Sequence, residues 1–257
     1  MLLKIIVYTI VVYTIIYYIC TMKTILHKAN DRGSADYGWL KTNYSFSFSQ
    51  YYNPDKIHFG MLRVLNDDIV DAGMGFGTHP HDNMEIITIP LKGSLQHKDS
   101  MGNLSIIKAN EVQVMSAGKG IQHSEFNPSH TEAVELFQIW IFPHTKNVEP
   151  RYGQKEFLEN NRINQWQLLV SPEKNENNLW IHQNALISRI KMDEKKDITY
   201  KLNNSGNGMY LMVIEGSIEM EEHLLEKRDA IGISETEQIK IKSEGTADLL
   251  MIEVPIK

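Results

Sequence analysis

The sequence of 257 residues has a single cysteine, Cys20. One thiol cannot close an internal disulfide and cannot supply the paired thiolates of a cysteine-rich metal site. A basic excess is missing as well: the net charge is -6, with acidic and basic residues interspersed. Without a basic stripe, direct nucleic-acid binding has no electrostatic footing. Low-complexity segments and linker-like stretches are absent, and helical periodicity is almost absent after Met22. There is one long apolar run, IIVYTIVVYTIIYYIC from Ile5 to Cys20. It is marginal against the roughly 17–25 residues that a spanning helix needs, and no small-residue cleavage site follows it. Three readings stand for residues 1–21: an upstream extension of the reading frame with Met22 as the start, a membrane anchor through residues 3–20, or a cleaved signal. The first gives a cytoplasmic protein; only a retained anchor would bring it to a membrane.

What the chain does have is short extended segments between turn residues. Thr24–Lys28 reads as an edge strand, residues 30–44 as a polar loop, and Tyr44-Ser-Phe-Ser-Phe-Ser as a strictly alternating strand. Gly73–Gly77 reads as a flexible bend, and Met84–Leu91 and Val134–Phe142 as strands. After a crossing at Pro143–Arg151, Gln154–Asn161 is the one short-helix candidate. A second strand series then runs from Gln165 to Val254, and Glu219–Asp229 reads as a solvated turn region. This rhythm predicts an all-β sandwich or barrel built twice.

Two clusters carry chemistry. Gly77-Thr-His79-Pro-His81 is answered by Gly120-Ile-Gln-His123-Ser-Glu125. Residues two apart on a strand share a face, so His79 pairs with His81 and His123 with Glu125. Imidazole and carboxylate suit a divalent ion of the Fe, Mn, Co, Ni or Cu kind. Three neutral His and one Glu would leave a divalent centre with one positive charge, and six-coordination would leave two positions open. Tetrahedral zinc would have none, so a zinc-hydroxide hydrolase fits less well. Glu85 lies on the same face as His79 and His81 by parity and competes with Glu125 as the carboxylate. The other histidines have blander readings: His58 and His97 in surface or loop hydrogen bonds, and His27, His130, His144, His182 and His223 without a partner at metal spacing. Gln138, Trp140 and Phe142 share one face of an apolar strand and read as core. Phe76 and Phe126 flank the clusters as candidate pocket walls. Gly118-Lys-Gly120 is no phosphate loop, because no Lys-Ser/Thr and no helix follow it.

Gly73-x5-His79-x-His81-x3-Glu85-x7-Gly93 resembles the first cupin motif, with one extra residue before the last Gly. Gly120-x2-His123-x3-Asn127 resembles the end of the second. GMGFGTHPHDNMEIITIP, LQHKDSMGN, AGKGIQHSEFN and ELFQIWIFP resemble the pirin family of bicupins. The resemblance covers nearly everything from Met22 onward. It implies two tandem cupin-type β-sandwich or barrel domains: residues 22–150 with metal, and residues 151–257 without it. It also implies metal ligands at His79, His81, His123 and Glu125, which moves Glu85 to a supporting or salt-bridge role. The implied ion is iron(II), with Mn, Co, Ni, Cu and Zn as alternatives. The implied activity is that of a quercetin 2,3-dioxygenase, an oxidoreductase cleaving a small aromatic, flavonol-like chelator with O2, and Glu125 could also take the substrate's hydroxyl proton. The rival reading is a redox-sensing co-regulator that binds a protein partner.

Overall fold

The structure, a computed structural model, describes residues 22–257; the apolar leader and Cys20 lie outside the described residues. The first half of the chain runs through β1 (Lys23–His27), β2 (Gly33–Asp36), β3 (Leu40–Tyr44), β4 (Leu62–Val70), β5 (Gly75–His81), β6 (Glu85–Lys92), β7 (Ser94–Asp99), β8 (Leu104–Lys108), β9 (Glu111–Ser116), β10 (Ile121–Phe126) and β11 (Val134–Ile141). The second half runs through β12 (Arg151–Glu156), β13 (Gln167–Ser171), β14 (Leu179–Trp180), β15 (Leu186–Met192), β16 (Lys196–Lys201), β17 (Asn207–Glu215), β18 (Ser217–Met220), β19 (His223–Glu226), β20 (Ala230–Ser234), β21 (Gln238–Ser243) and β22 (Ala247–Pro255). Helical structure among the described residues is limited to two single 3-10 turns, Ala29–Asp31 and Glu159–Arg162.

Each half is a sandwich of a seven-stranded and a four-stranded sheet, and the sheets stay open rather than closing into a barrel. The first pairs the order β12-β9-β6-β11-β4-β3-β2 with β5-β10-β7-β8; the second pairs β1-β20-β17-β22-β15-β13-β14 with β16-β21-β18-β19. The edge strands are exchanged. β1 lies antiparallel along β20 in the second sheet, while β12 lies antiparallel along β9 in the first.

Strand parity decides where each side chain goes. On β6 and β11, the odd-numbered Ile87, Ile89, Phe137 and Ile139 join Tyr210, Met212, Leu250 and Ile252 in one buried cluster. The two seven-stranded sheets therefore pack against each other, and each fully buried aliphatic or Phe side chain contributes about 1.5–3 kcal/mol. The even-numbered residues face the four-stranded sheet of their own half, and there the site is found. Gly93 (φ 75°) and Gly216 (φ 81°) make equivalent crossings between sheets, from β6 to β7 and from β17 to β18. A Cβ on Gly216 would lie 2.1 Å from the Thr246 carbonyl oxygen, so neither the backbone angle nor the space admits a side chain.

Several local expectations are corrected. Residues 30–44 are not loop, since they hold β2 and β3. The alternating Tyr44–Ser49 segment is not a strand: it bends away after Tyr44, and its buried rings pack inward instead of forming a ladder. Gly75 and Gly77 belong to strand β5 rather than to a bend. Gln154–Asn161 is not an α-helix but the end of β12 followed by a 3-10 turn, because Lys155 and Glu156 pair with β9. Glu219–Asp229 contains β19, with Leu225 fully buried.

Candidate metal centre

β5 and β10 are antiparallel neighbours, with His79 opposite His123 and His81 opposite Ile121. A register shift between His123 and Glu125 places Glu125 opposite Phe76. This β-bulge re-aims the second cluster toward the cavity. The result brings three imidazoles together: ring centroids are 4.4 Å apart for His79–His123, 4.9 Å for His81–His123 and 4.9 Å for His79–His81. One ligand nitrogen from each lies within 4.8 Å of the others. Glu125 meets the same limit with His123 and His97.

The protonation states suit ligation. His79 Nδ1 lies 2.8 Å from the Gly77 carbonyl oxygen. A carbonyl can only accept, so Nδ1 carries the proton and Nε2 presents its lone pair. Burial lowers the His81 pKa to about 4, and neighbouring His79 adds to this. Burial lowers His123 to about 2, helped by His79, His81 and His97. Both rings are therefore neutral at physiological pH. Neither nitrogen of buried His123 has a hydrogen-bond partner. Burial raises the Glu125 pKa, against the opposing influence of His97, Gln138 and Thr88. Gln138 donates to Glu125 from Nε2 at 3.1 and 3.3 Å, and Thr88 Oγ donates to Gln138 Oε1 at 3.2 Å.

A cavity of about 440 Å³ opens on this cluster. His79, His81, Glu125 and Gln138 line one part of it, Asn66 and Asp68 another, and Trp39, Phe48, Phe76 and Trp140 supply aromatic walls. A second cavity, of about 650 Å³, shares His81 and Trp140 and is edged by Asp82, Ser100, Lys119 and Gln122.

Comparison with known proteins follows the same lines. The pirin family model matches residues 26–141, and the model of the quercetinase C-terminal cupin domain matches residues 168–254. The chain is 38% identical over 230 residues to the quercetin 2,3-dioxygenase of Escherichia coli K12, covering 90% of this chain and 98% of that one. It is 37% identical over 222 residues to a pirin-like protein of Caulobacter vibrioides, covering 86% and 95%. The crystal structure of the bacterial pirin YhhW of E. coli in complex with nickel(II) superposes with a TM-score of 0.86 at 37% identity, covering 91% of this chain and all of that one. The chain belongs to the pirin family. Its two-cupin, all-β architecture is the one that the sequence motifs imply.

In this pirin-family fold Glu85 stands apart from the imidazoles and pairs with His182, in keeping with the supporting role implied for it, while several other residues stand elsewhere than expected. Glu85 starts β6 in the other sheet. Its carboxylate accepts from Ser116 Oγ at 2.7 Å and lies 3.1 Å from His182 Nδ1, facing the second half of the chain. His182 thus has a partner, though not a metal-spaced one. His97 is not a surface residue. It is fully buried on β7 opposite Glu125, with its ring 5.3 Å from His123 and Nε2 3.1 Å from Asp99 Oδ2. Asp99 is held below the usual carboxylate range: burial works against this, but Asn103 and His97 outweigh it by hydrogen bonding. Gln138 is not core packing, and Trp140 packs against the buried cluster of Ile86, Met115, Ala117 and Ile121 while also walling the cavity. Gln138 orients Glu125, and the Trp140 ring lies edge-on to His81 at 4.9 Å. Phe142 does sit apart from the site, against His58. Of the two expected walls, Phe76 lines the cavity, with its ring against Trp39, while Phe126 points to the surface at 39% exposure. His58, by contrast, caps the Gly60 carbonyl as a loop residue. Only the pairing of β7 with β10 brings His97 in, and no spacing within one strand signals it.

Proposed function

We propose that this chain is a metal-dependent dioxygenase opening a flavonol-like aromatic chelator with O2, its ion held by His79, His81, His123 and Glu125. The observation that carries the reading is the gathering of three imidazoles, His79, His81 and a buried His123 whose two ring nitrogens have no partner. Leaving a buried polar atom unpaired costs about 1–3 kcal/mol, and a cation removes that cost. It also offsets the burial that raises Glu125. The donor set therefore fits a divalent transition ion, and we take iron(II) as the physiological one. The nickel(II) complex of the relative YhhW supports a divalent ion, and the name of the E. coli relative supports the substrate class. When bound, such an ion supplies Lewis-acid chemistry toward a chelating enol and redox chemistry toward dioxygen.

The protein's own contribution is positioning. The Gly77 carbonyl fixes the His79 tautomer, and Gln138 and Thr88 orient Glu125. Trp39, Phe48, Phe76 and Trp140 hold a flat ring and exclude water. Glu125, which lines the cavity beside the imidazoles, takes the substrate's hydroxyl proton in this reading as its hold on the ion loosens. A cytoplasmic location goes with Met22 as the start; fractionation of the native host and mass spectrometry of the mature N-terminus test it.

The deciding experiment is metal analysis of protein purified from its own host, followed by quercetin bleaching with dioxygen uptake. Turnover that disappears in His123→Ala supports the reading. A metal-loaded protein that consumes no dioxygen with any flavonol, yet changes partner binding with metal oxidation state, would replace it with the co-regulator.

A further inference from the structure

The wall of the 440 Å³ cavity formed by β4 carries two polar side chains that the metal centre does not use. Asn66 and Asp68 are two residues apart on one strand and share its inward face. Each is only 4% exposed, and Oδ1 of each has no hydrogen-bond partner. Thr42 lies opposite Asp68 on β3, but its hydroxyl reaches no hydrogen-bonding geometry and is itself unpaired. Gln138, opposite Asn66 on β11, spends its amide nitrogen on Glu125. The two acceptors have aromatic neighbours in Trp39, Phe48 and Phe76.

We infer that Asn66 and Asp68 form a specificity shelf that accepts hydrogen bonds from ligand hydroxyls other than the chelating pair, so that the preferred substrate is a polyhydroxylated aromatic. Buried acceptors without donors penalise a ligand that brings none and reward one that does. Sites built to bond a substrate hydroxyl reject the analogue lacking it far more strongly than apolar pockets reject an added group. Burial raises the Asp68 carboxyl to about 7, with Asp67 and Glu125 adding to it; the Thr42 hydroxyl, near the carboxyl but outside hydrogen-bond geometry, opposes this only in part. Either protonation form keeps an acceptor oxygen, so the shelf works on both sides of neutrality. The inference rests on the flavonol reading above and adds the feature of the flavonol that is selected.

The test is equilibrium binding to the metal-loaded protein under nitrogen, comparing quercetin with 3-hydroxyflavone, which keeps the chelating pair and lacks every other hydroxyl. Wild type should bind quercetin at least ~10-fold tighter. Asp68→Val combined with Asn66→Leu should remove that preference, with quercetin binding weaker than in wild type and 3-hydroxyflavone binding as tightly or tighter. Asp68→Asn, which keeps shape and an acceptor oxygen, should retain most of the preference and shows that loss in the double variant is not misfolding. Equal binding of the two flavonols by wild type, or a preference that survives the double variant, overturns the shelf and leaves the flavonol reading standing. If neither flavonol binds, the flavonol reading falls and takes the shelf with it.

Discussion

Across the inner face of the first seven-stranded sheet run Asn66, Gln138, Thr88 and Gln113, cross-strand neighbours on β4, β11, β6 and β9. The matching row of the second sheet is Ser188, Met251, Leu211 and Ile231 on β15, β22, β17 and β20. The facing four-stranded sheets differ in the same way. β10 buries His123 and Glu125, where β21 buries Ile239 and Ile241. One sandwich is hollow and polar inside; the other is filled by a cluster that includes Tyr200, Met209, Val213, Ile218 and Leu249. The second half shows that this architecture needs no polar interior. The amides, imidazoles and carboxyls of the first are retained at a cost in packing, as expected where a ligand completes the hydrogen bonding.

The sharpest way to break the comparison is to remove the centre of the hollow half. His123→Ala should take the protein from one bound ion per chain to a trace. Flavonol turnover should fall by more than ~100-fold, since even outer-shell partners are commonly worth 10–100-fold. Metal analysis and oxygen uptake read the two effects. Metal-free His123→Leu should melt no lower than metal-free wild type, because it replaces an imidazole whose nitrogens are unpaired. The matching cut in the filled half goes the other way. Ile241→Ala should cost about 2–5 kcal/mol in denaturant unfolding, through lost burial and the cavity left behind, with metal content unchanged.

The same contrast explains how far the sequence could be read. The strand rhythm and the duplication were legible because turn residues and period-two patterning are local. His79 with His81, and His123 with Glu125, were legible as same-face pairs because each pair sits on a single strand, whereas parity alone left Glu85 beside Glu125 and the family motif made the choice. Parity names a face, however, and does not say what the face looks at. Gln138 and Trp140 share an apolar strand with Phe137 and Ile139, and only sheet packing shows that the even face meets a cavity. Glu85 was counted in phase with His81, but the chain turns through Asn83 at φ 43°, changes sheet and resets the phase. His97 depends on a register with β10, and Asp68 on the depth of β4, neither of which the local pattern encodes.

Electrostatics sharpen the comparison further. Asp68 has a folded pKa of about 7 against an ordinary 3.8. The folded state therefore binds more protons than the unfolded state in that interval. Stability is lost as pH rises from about 4 through 7, by an amount of order 2–4 kcal/mol. Thermal melts of the metal-free protein should show Asp68→Asn gaining on wild type as pH rises from 4.5 to 8. A constant difference across that range would mean that Asp68 is not held protonated by the hollow half.

The smallest expected effect has the opposite sign and lies in the second half, where β1 docks. His27 Nδ1 sits 2.8 Å from the Tyr210 hydroxyl, and burial, with Lys56 and Arg32 adding, lowers its pKa from 6.5 to about 4. Between those values the unfolded chain takes up a proton that the folded chain refuses. Stability is then full above pH 6.5 and is lost as pH falls toward 4, by an amount of order 1–3 kcal/mol. His27→Gln keeps an acceptor for Tyr210 and removes the titration, so the variant should lose less stability than wild type between pH 6.5 and 4.5. Equal acid slopes would mean that the edge of β1 opens before the second sheet unfolds, and His27 would then report local fraying rather than the stability of the filled half.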